Sequence, residues 1–103
     1  MHKAILNSIS ERDFQQMIIQ AAELLGWVVY HTYDSRRCTP GYPDLTLIHP
    51  GSASLLFVEL KTERGKLRPE QRLWLETLQA AGVDVRVWRP SDWDTIVATL
   101  RRA

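Results

Sequence analysis

Asp44, Glu59 and Lys61 are the residues of this 103-residue chain whose types and spacing could do chemistry. They lie in the stretch GYPDLTLIHPGSASLLFVELK, residues 41–61, at one end of two apolar runs around a turn. Asp44 and Glu59 are equidistant from the turn at Gly51–Ser52. Antiparallel strands about that turn set them opposite each other, with Cβ atoms about 5 Å apart. Glu59 and Lys61 are two apart on one strand and share a face. Two adjacent carboxylates repel unless a proton or a cation sits between them. Their hard oxygens suit Mg²⁺ or Mn²⁺. A lysine beside such a cation could orient or deprotonate a water, or stabilise developing negative charge. Together these are the groups that metal-assisted phosphodiester hydrolysis needs. A purely structural role stands beside this one: a buried Lys61–Glu59 ion pair, with Asp44 serving only the turn after Pro43.

The elements that must position these groups can be read from periodicity. Ser10 caps a helix, with Asp13 three residues on, and Phe14, Met17, Ile18, Ala21, Ala22 and Leu25 follow helical spacing up to Gly26. WVVYHTYD (27–34) is β-branched and aromatic and reads as a strand. SRRCTPGYP (35–43) is a loop. LTLIH (45–49) and LLFVELK (55–61) are strands around PGSAS, and the second is apolar on both faces, as a central strand is. A charged connection, 62–68, leads to a helix that starts at Pro69 and stops at Gly82. VDVRVW (83–88) is a strand, and Ser91 is expected to cap a last helix with Trp93, Ile96, Val97 and Leu100 as its apolar stripe. The order is α-β-β-β-α-β-α. Strand, crossover helix and strand over 55–88 imply a right-handed parallel pairing, hence an α/β fold with a mixed β-sheet flanked by helices.

Composition narrows the class. With 45% hydrophobic and 24% charged residues, the chain fits one globular domain over 1–103, with 1–9 as an N-terminal arm. No apolar run approaches the roughly 20 residues that span a bilayer. MHKAILNSIS lacks the apolar core and cleavage site of a signal peptide. The lone Cys38 has no partner for an internal disulfide, and a reducing cytoplasm is expected. His2, His31 and His49 have no zinc-site spacing with that cysteine. The formal net charge is +1, so any affinity for nucleic acid must come from local clustering of the 13 Lys and Arg.

PD (43–44) followed by ELK (59–61) at the end of an apolar strand resembles the PD-(D/E)xK nuclease signature. GYPDL (41–45) is similar to the G-x-P-D-L of one branch, the VRR-NUC (virus-type replication-repair nuclease) domain. VELK (58–61) resembles that branch's metal-binding strand, and QRLW (71–74) its Q-x-x-W helix motif. ERDFQ (11–15) sits where the family has a helix carrying an acidic residue. The resemblance runs over about residues 10–100 and implies a restriction-endonuclease-like core. It implies Asp44, Glu59 and the backbone carbonyl of Leu60 as ligands of Mg²⁺ or Mn²⁺, with Lys61 positioning the attacking water. It implies that Gln71 supports the site and that Glu11 completes the acidic group through a second metal or a bound water. It further implies a structure-selective DNA endonuclease acting on branches such as four-way (Holliday) junctions, and a homodimer, in a bacterial or phage-infected cell.

Residue by residue, other roles stay open. Glu11 shares the stripe of Phe14 and Ile18, yet it could simply favour the positive end of its helix. Gln71 shares a face with Trp74, Leu75 and Leu78, yet it could be a solvated first-turn residue. Arg36 and Arg37 before GYPD, and Arg64, Lys66 and Arg68 after the second strand, are expected to form a two-sided rim that holds the DNA backbone. Alternatively, the second group is a solvated loop offset by Glu63 and Glu70. Tyr30, Tyr33 and Tyr42 could stack on bases or serve the fold. The rival functions are a non-catalytic DNA-binding or assembly module, and a nuclease subunit active only with a partner.

Overall fold

A computed structural model of the chain describes residues 3–33 and 39–103. In chain order the elements are α1 (Lys3–Ser8), α2 (Glu11–Leu24), β1 (Val28–His31), β2 (Leu45–His49), β3 (Ser54–Leu60), α3 (Pro69–Ala80), β4 (Asp84–Trp88) and α4 (Trp93–Arg101). Short 3-10 turns occupy Pro50–Ser52 and Pro90–Asp92. The four strands form one sheet in the order β1-β2-β3-β4. β1 and β2, and β2 and β3, pair antiparallel. β3 and β4, joined through α3, pair in parallel. This is the expected mixed α/β arrangement, with α1 as an addition: residues 3–8 of the expected arm are helical.

Side-chain alternation divides the sheet into two faces. Leu45 pairs with Val58 and Leu47 with Leu56, and all four point into the core, as does Leu60. α2 meets that face with Phe14, Ile18 and Ala22, fully buried at intervals of four. α4 adds Ile96 and Leu100. Trp27 is buried beside them and satisfies its indole N–H on the Leu100 carbonyl at 3.0 Å. Glu59 lies between Val58 and Leu60, so it faces the opposite side, where α3 packs.

Two local expectations are corrected. β1 stops at His31, three residues short of the expected end, and Asp34 lies outside the described residues. Ser91 does not cap the last helix. Pro90 has its φ already set near the helical value and starts a 3-10 turn ahead of α4. Within that turn the Asp92 carboxylate accepts the Arg89 N–H at 2.8 Å, and the Ser91 N–H donates to Glu63 at 3.0 Å. Among the described residues, no helix is long and apolar enough to cross a membrane.

Candidate active site

The β2–β3 register brings the two acids together. Leu45 pairs with Val58, so the next position outward sets Asp44 against Glu59, as their distance from the turn requires. Asp44 is held on three sides. Pro43 before it is fully buried, the Asp44 carbonyl accepts the Thr32 N–H at 2.8 Å, and Asp44 Oδ2 accepts the Leu60 N–H at 2.8 Å. The carboxylate therefore reaches across to β3 rather than serving the turn after Pro43.

Glu59 is 1% exposed. Its Oε2 accepts a hydrogen bond from Gln71 Nε2 at 2.9 Å and lies 4.0 Å from Lys61 Nζ. Its Oε1 is buried with no hydrogen-bond partner. Burial, and then the negative charge of Asp44, push the Glu59 carboxyl up to about 8, against the opposing pull of Lys61. A simple Lys–Glu ion pair does not account for this. At 4.0 Å the two groups are beyond hydrogen-bonding distance, and one carboxylate oxygen still lacks a donor. A buried acceptor with no donor is costly. Without a cation, a proton shared with Asp44 removes that cost; a hard divalent cation between the two carboxylates replaces that proton, and the donor set fits Mg²⁺ or Mn²⁺.

Gln71 is not a solvated residue: it is 7% exposed, in the first turn of α3. Its Oε1 accepts the Arg68 backbone N–H at 2.9 Å. That leaves its amide nitrogen for Glu59, so the cap of α3 also orients the acid. Trp74, three residues on, donates its indole N–H to the Pro40 carbonyl at 3.2 Å and meets Tyr42 edge-on at 5.0 Å. Gly41 has φ +93, and a Cβ there would come within 2.6 Å of the Glu70 backbone. Only glycine allows the loop before Asp44 to lie this close on α3. Q-x-x-W thus holds β3 through Gln71 and the loop before β2 through Trp74, both from α3.

Glu11 lies in the first turn of α2, which Ser10 caps by accepting the Asp13 N–H at 3.0 Å. Its carboxyl is raised by burial and by Asp44, and lowered by Lys61 and Arg68, so it shares the field of the site. Among the described residues, no three Asp, Glu, His or Cys side chains converge closely enough to hold a metal by themselves. Glu11 stands off from the Asp44–Glu59 pair.

Except for Glu59, which is 1% exposed and outside the lining, the site's acids, Lys61 and Gln71 open into one cleft of about 780 Å³. Glu11, Asp44, Lys61, Lys66, Arg68 and Gln71 all line it. Arg64 is exposed and outside the lining, and Arg36 and Arg37 lie outside the described residues. The cleft also includes residues that sequence reasoning passed over: Arg12, Gln15 and His31. A signal for Gln15 was present, since it lies one helical turn after Glu11. His31 offered none, because a strand histidine has no motif.

The VRR-NUC domain family model matches residues 6–92. A solved VRR_NUC domain is 29% identical to this chain, with a TM-score of 0.71 over 85% of this chain and 94% of that one. A solved VRR_NUC domain protein at 16% identity shares the fold, with a TM-score of 0.68 over 92% of this chain and 88% of that one. Fanconi-associated nuclease 1 of Ailuropoda melanoleuca is 41% identical over 54 residues, 52% of this chain and 5% of that protein. The Fanconi-associated nuclease 1 homolog of Schizosaccharomyces pombe is 34% identical over 56 residues, 54% of this chain and 8% of that protein. The chain spans less than a tenth of the length of these curated relatives. With the family model running from α1 to the turn before α4, this chain belongs to the VRR-NUC nuclease domain family of the PD-(D/E)xK superfamily.

Proposed function

We propose that this VRR-NUC domain is a Mg²⁺- or Mn²⁺-dependent endonuclease that hydrolyses DNA phosphodiester bonds, selectively at branches such as four-way junctions. The observation that carries the reading is the buried, donorless Oε1 of Glu59 beside the Asp44 carboxylate. Asp44, Glu59 and the Leu60 carbonyl would hold the cation, with Glu11 joining through a water or a second cation. When bound, the cation supplies Lewis acidity toward a phosphate oxygen. Lys61, only 11% exposed at its side chain, holds the attacking water and meets negative charge developing on the phosphate. Gln71 keeps the Glu59 carboxylate turned into the site. Lys66 and Arg68 take the flanking phosphates, which positions the backbone without reading its sequence.

The same reading includes a homodimer in a reducing cytoplasm. Paired cuts in a two-fold symmetric junction are easiest for a C2 assembly. The test is cleavage of labelled four-way junction, flap, duplex and single-stranded DNA with Mg²⁺, Mn²⁺ or EDTA, comparing wild type with Asp44→Ala. Junction cutting that needs both metal and Asp44 supports the whole proposal. Cutting of another structure keeps the chemistry and removes the junction. Binding without cutting under any metal turns the reading to a non-catalytic module or to a subunit that needs a partner.

A further inference from the structure

The structure sorts the three tyrosines. Tyr42 lines the cleft but is half-buried and used by the fold, edge-on to Trp74 at 5.0 Å and to Phe57 at 6.3 Å. Tyr30 is exposed on the sheet, paired with Thr46, and does not line the cleft. Tyr33 lines the cleft and is 73% exposed. Its ring lies 4.6 Å from that of His31 at an angle of 40°. His31 is held in turn by Gln15, nitrogen to nitrogen at 2.9 Å. Such a contact has one donor, so either His31 Nε2 accepts from the amide or the ring donates to it in the flipped rotamer. In both cases the imidazole is fixed and backs the tyrosine. Tyr33 thus offers an exposed ring to the cleft, held against a positioned partner.

Resting on the nuclease reading above, we propose that Tyr33, backed by His31 and Gln15, is a stacking wall for an unpaired base adjoining the scissile phosphate. The cleft has the volume of a small-molecule site, more than a phosphate and a cation fill. Arg12, Lys66 and Arg68 line the same cleft and match a nucleotide's phosphates in charge. A base inside a duplex has both faces covered by its neighbours. Only an unstacked one can offer a face to an aromatic ring. The wall therefore selects a base left unstacked at a branch point or on a single-stranded arm over intact duplex.

The test uses Asp44→Asn as background. The amide keeps an acceptor for the Leu60 N–H, cuts nothing, and no longer repels phosphate. Binding of a splayed-arm duplex and of its fully paired counterpart is measured by fluorescence anisotropy, with 2-aminopurine at the first unpaired position as a second probe. Adding Tyr33→Ala is expected to weaken splayed-arm binding about tenfold and to abolish quenching of the probe, while changing duplex binding less than twofold. Adding Tyr33→Phe should retain both. Equal weakening of the two DNAs, or no change in either, overturns the wall. So does a background protein that does not distinguish them. Absence of binding to any DNA overturns it together with the nuclease reading. Preferred splayed-arm binding that depends on Tyr33, with no cutting by wild type, overturns only the nuclease reading.

Discussion

At the scale of single residues, Glu59 sets stability against function. Its carboxyl is raised from an ordinary 4.5 to about 8, by burial and then by Asp44. Between those values the folded chain keeps the proton and the unfolded chain has released it, so raising the pH across the window favours unfolding. The metal-free protein should therefore lose melting temperature from pH 5 to pH 8. Added Mg²⁺, which favours the ionised pair, should raise it more at pH 8 than at pH 5. An equal Mg²⁺ effect at both would count against a cation at Glu59. Glu59→Gln should stabilise the metal-free fold at pH 8 by about 1–2 kcal/mol, because it removes a buried charge yet can still accept from Gln71. It should also abolish cutting. Gln71→Ala leaves both Glu59 oxygens without a hydrogen-bond donor, and denaturant melts should show a loss of about 1–3 kcal/mol. Asp44 and Glu59 could be paired from sequence by counting to the turn. The burial of Gln71 could not, since a first-turn glutamine is as often solvated.

At the scale of elements, the loops that carry the site are tied to helices by contacts distant in sequence. Gly41→Ala puts a Cβ within 2.6 Å of the Glu70 backbone at φ +93. Chemical denaturation should show a loss of about 2 kcal/mol or more, and cutting should fall with it, because Asp44 moves with the loop. On the other side of the site, Arg89 Nη1 donates to the carbonyls of Thr62 at 2.8 Å and Gly65 at 2.6 Å. That clamp shapes the turn leading to Lys66 and Arg68. Arg89→Ala should speed limited proteolysis at residues 62–68 and weaken DNA binding, with the fold retained. Unchanged proteolysis would show that the turn holds itself. Periodicity made the helices legible because α2 and α3 each bury one face, while β3, buried at Val58, Glu59 and Leu60 in succession, was legible as an apolar run. It did not locate the Ser91 turn, because the Glu63 contact that stabilises it comes from 28 residues away.

For the whole molecule, net charge is +1, so attraction to DNA depends on where the cations lie rather than on their number. Lys66 and Arg68 line the cleft and Arg64 does not. Lys66→Ala and Arg68→Ala should each reduce the slope of log affinity against log salt by about 0.9, while Arg64→Ala changes it less. Affinities measured across a salt series decide this. Equal slopes for all three would mean that the whole loop, not the cleft wall, meets the phosphates. Sedimentation equilibrium gives the mass, and a homodimer is expected.

The sequence by itself determined the element order, the apolar face of each element and the pairing of Asp44 with Glu59. Those follow from local periodicity and a short hairpin, where few residues separate the partners and the turn sets the register. Only the tertiary structure decided that Glu59 Oε1 is buried beside Asp44, that Gln71 spends its amide on Glu59, and that Tyr33 faces the cleft exposed while Tyr42 packs on Trp74 and Tyr30 lies outside it. Burial and partnership depend on chain segments remote in sequence closing on one point, and no window of neighbouring residues encodes that.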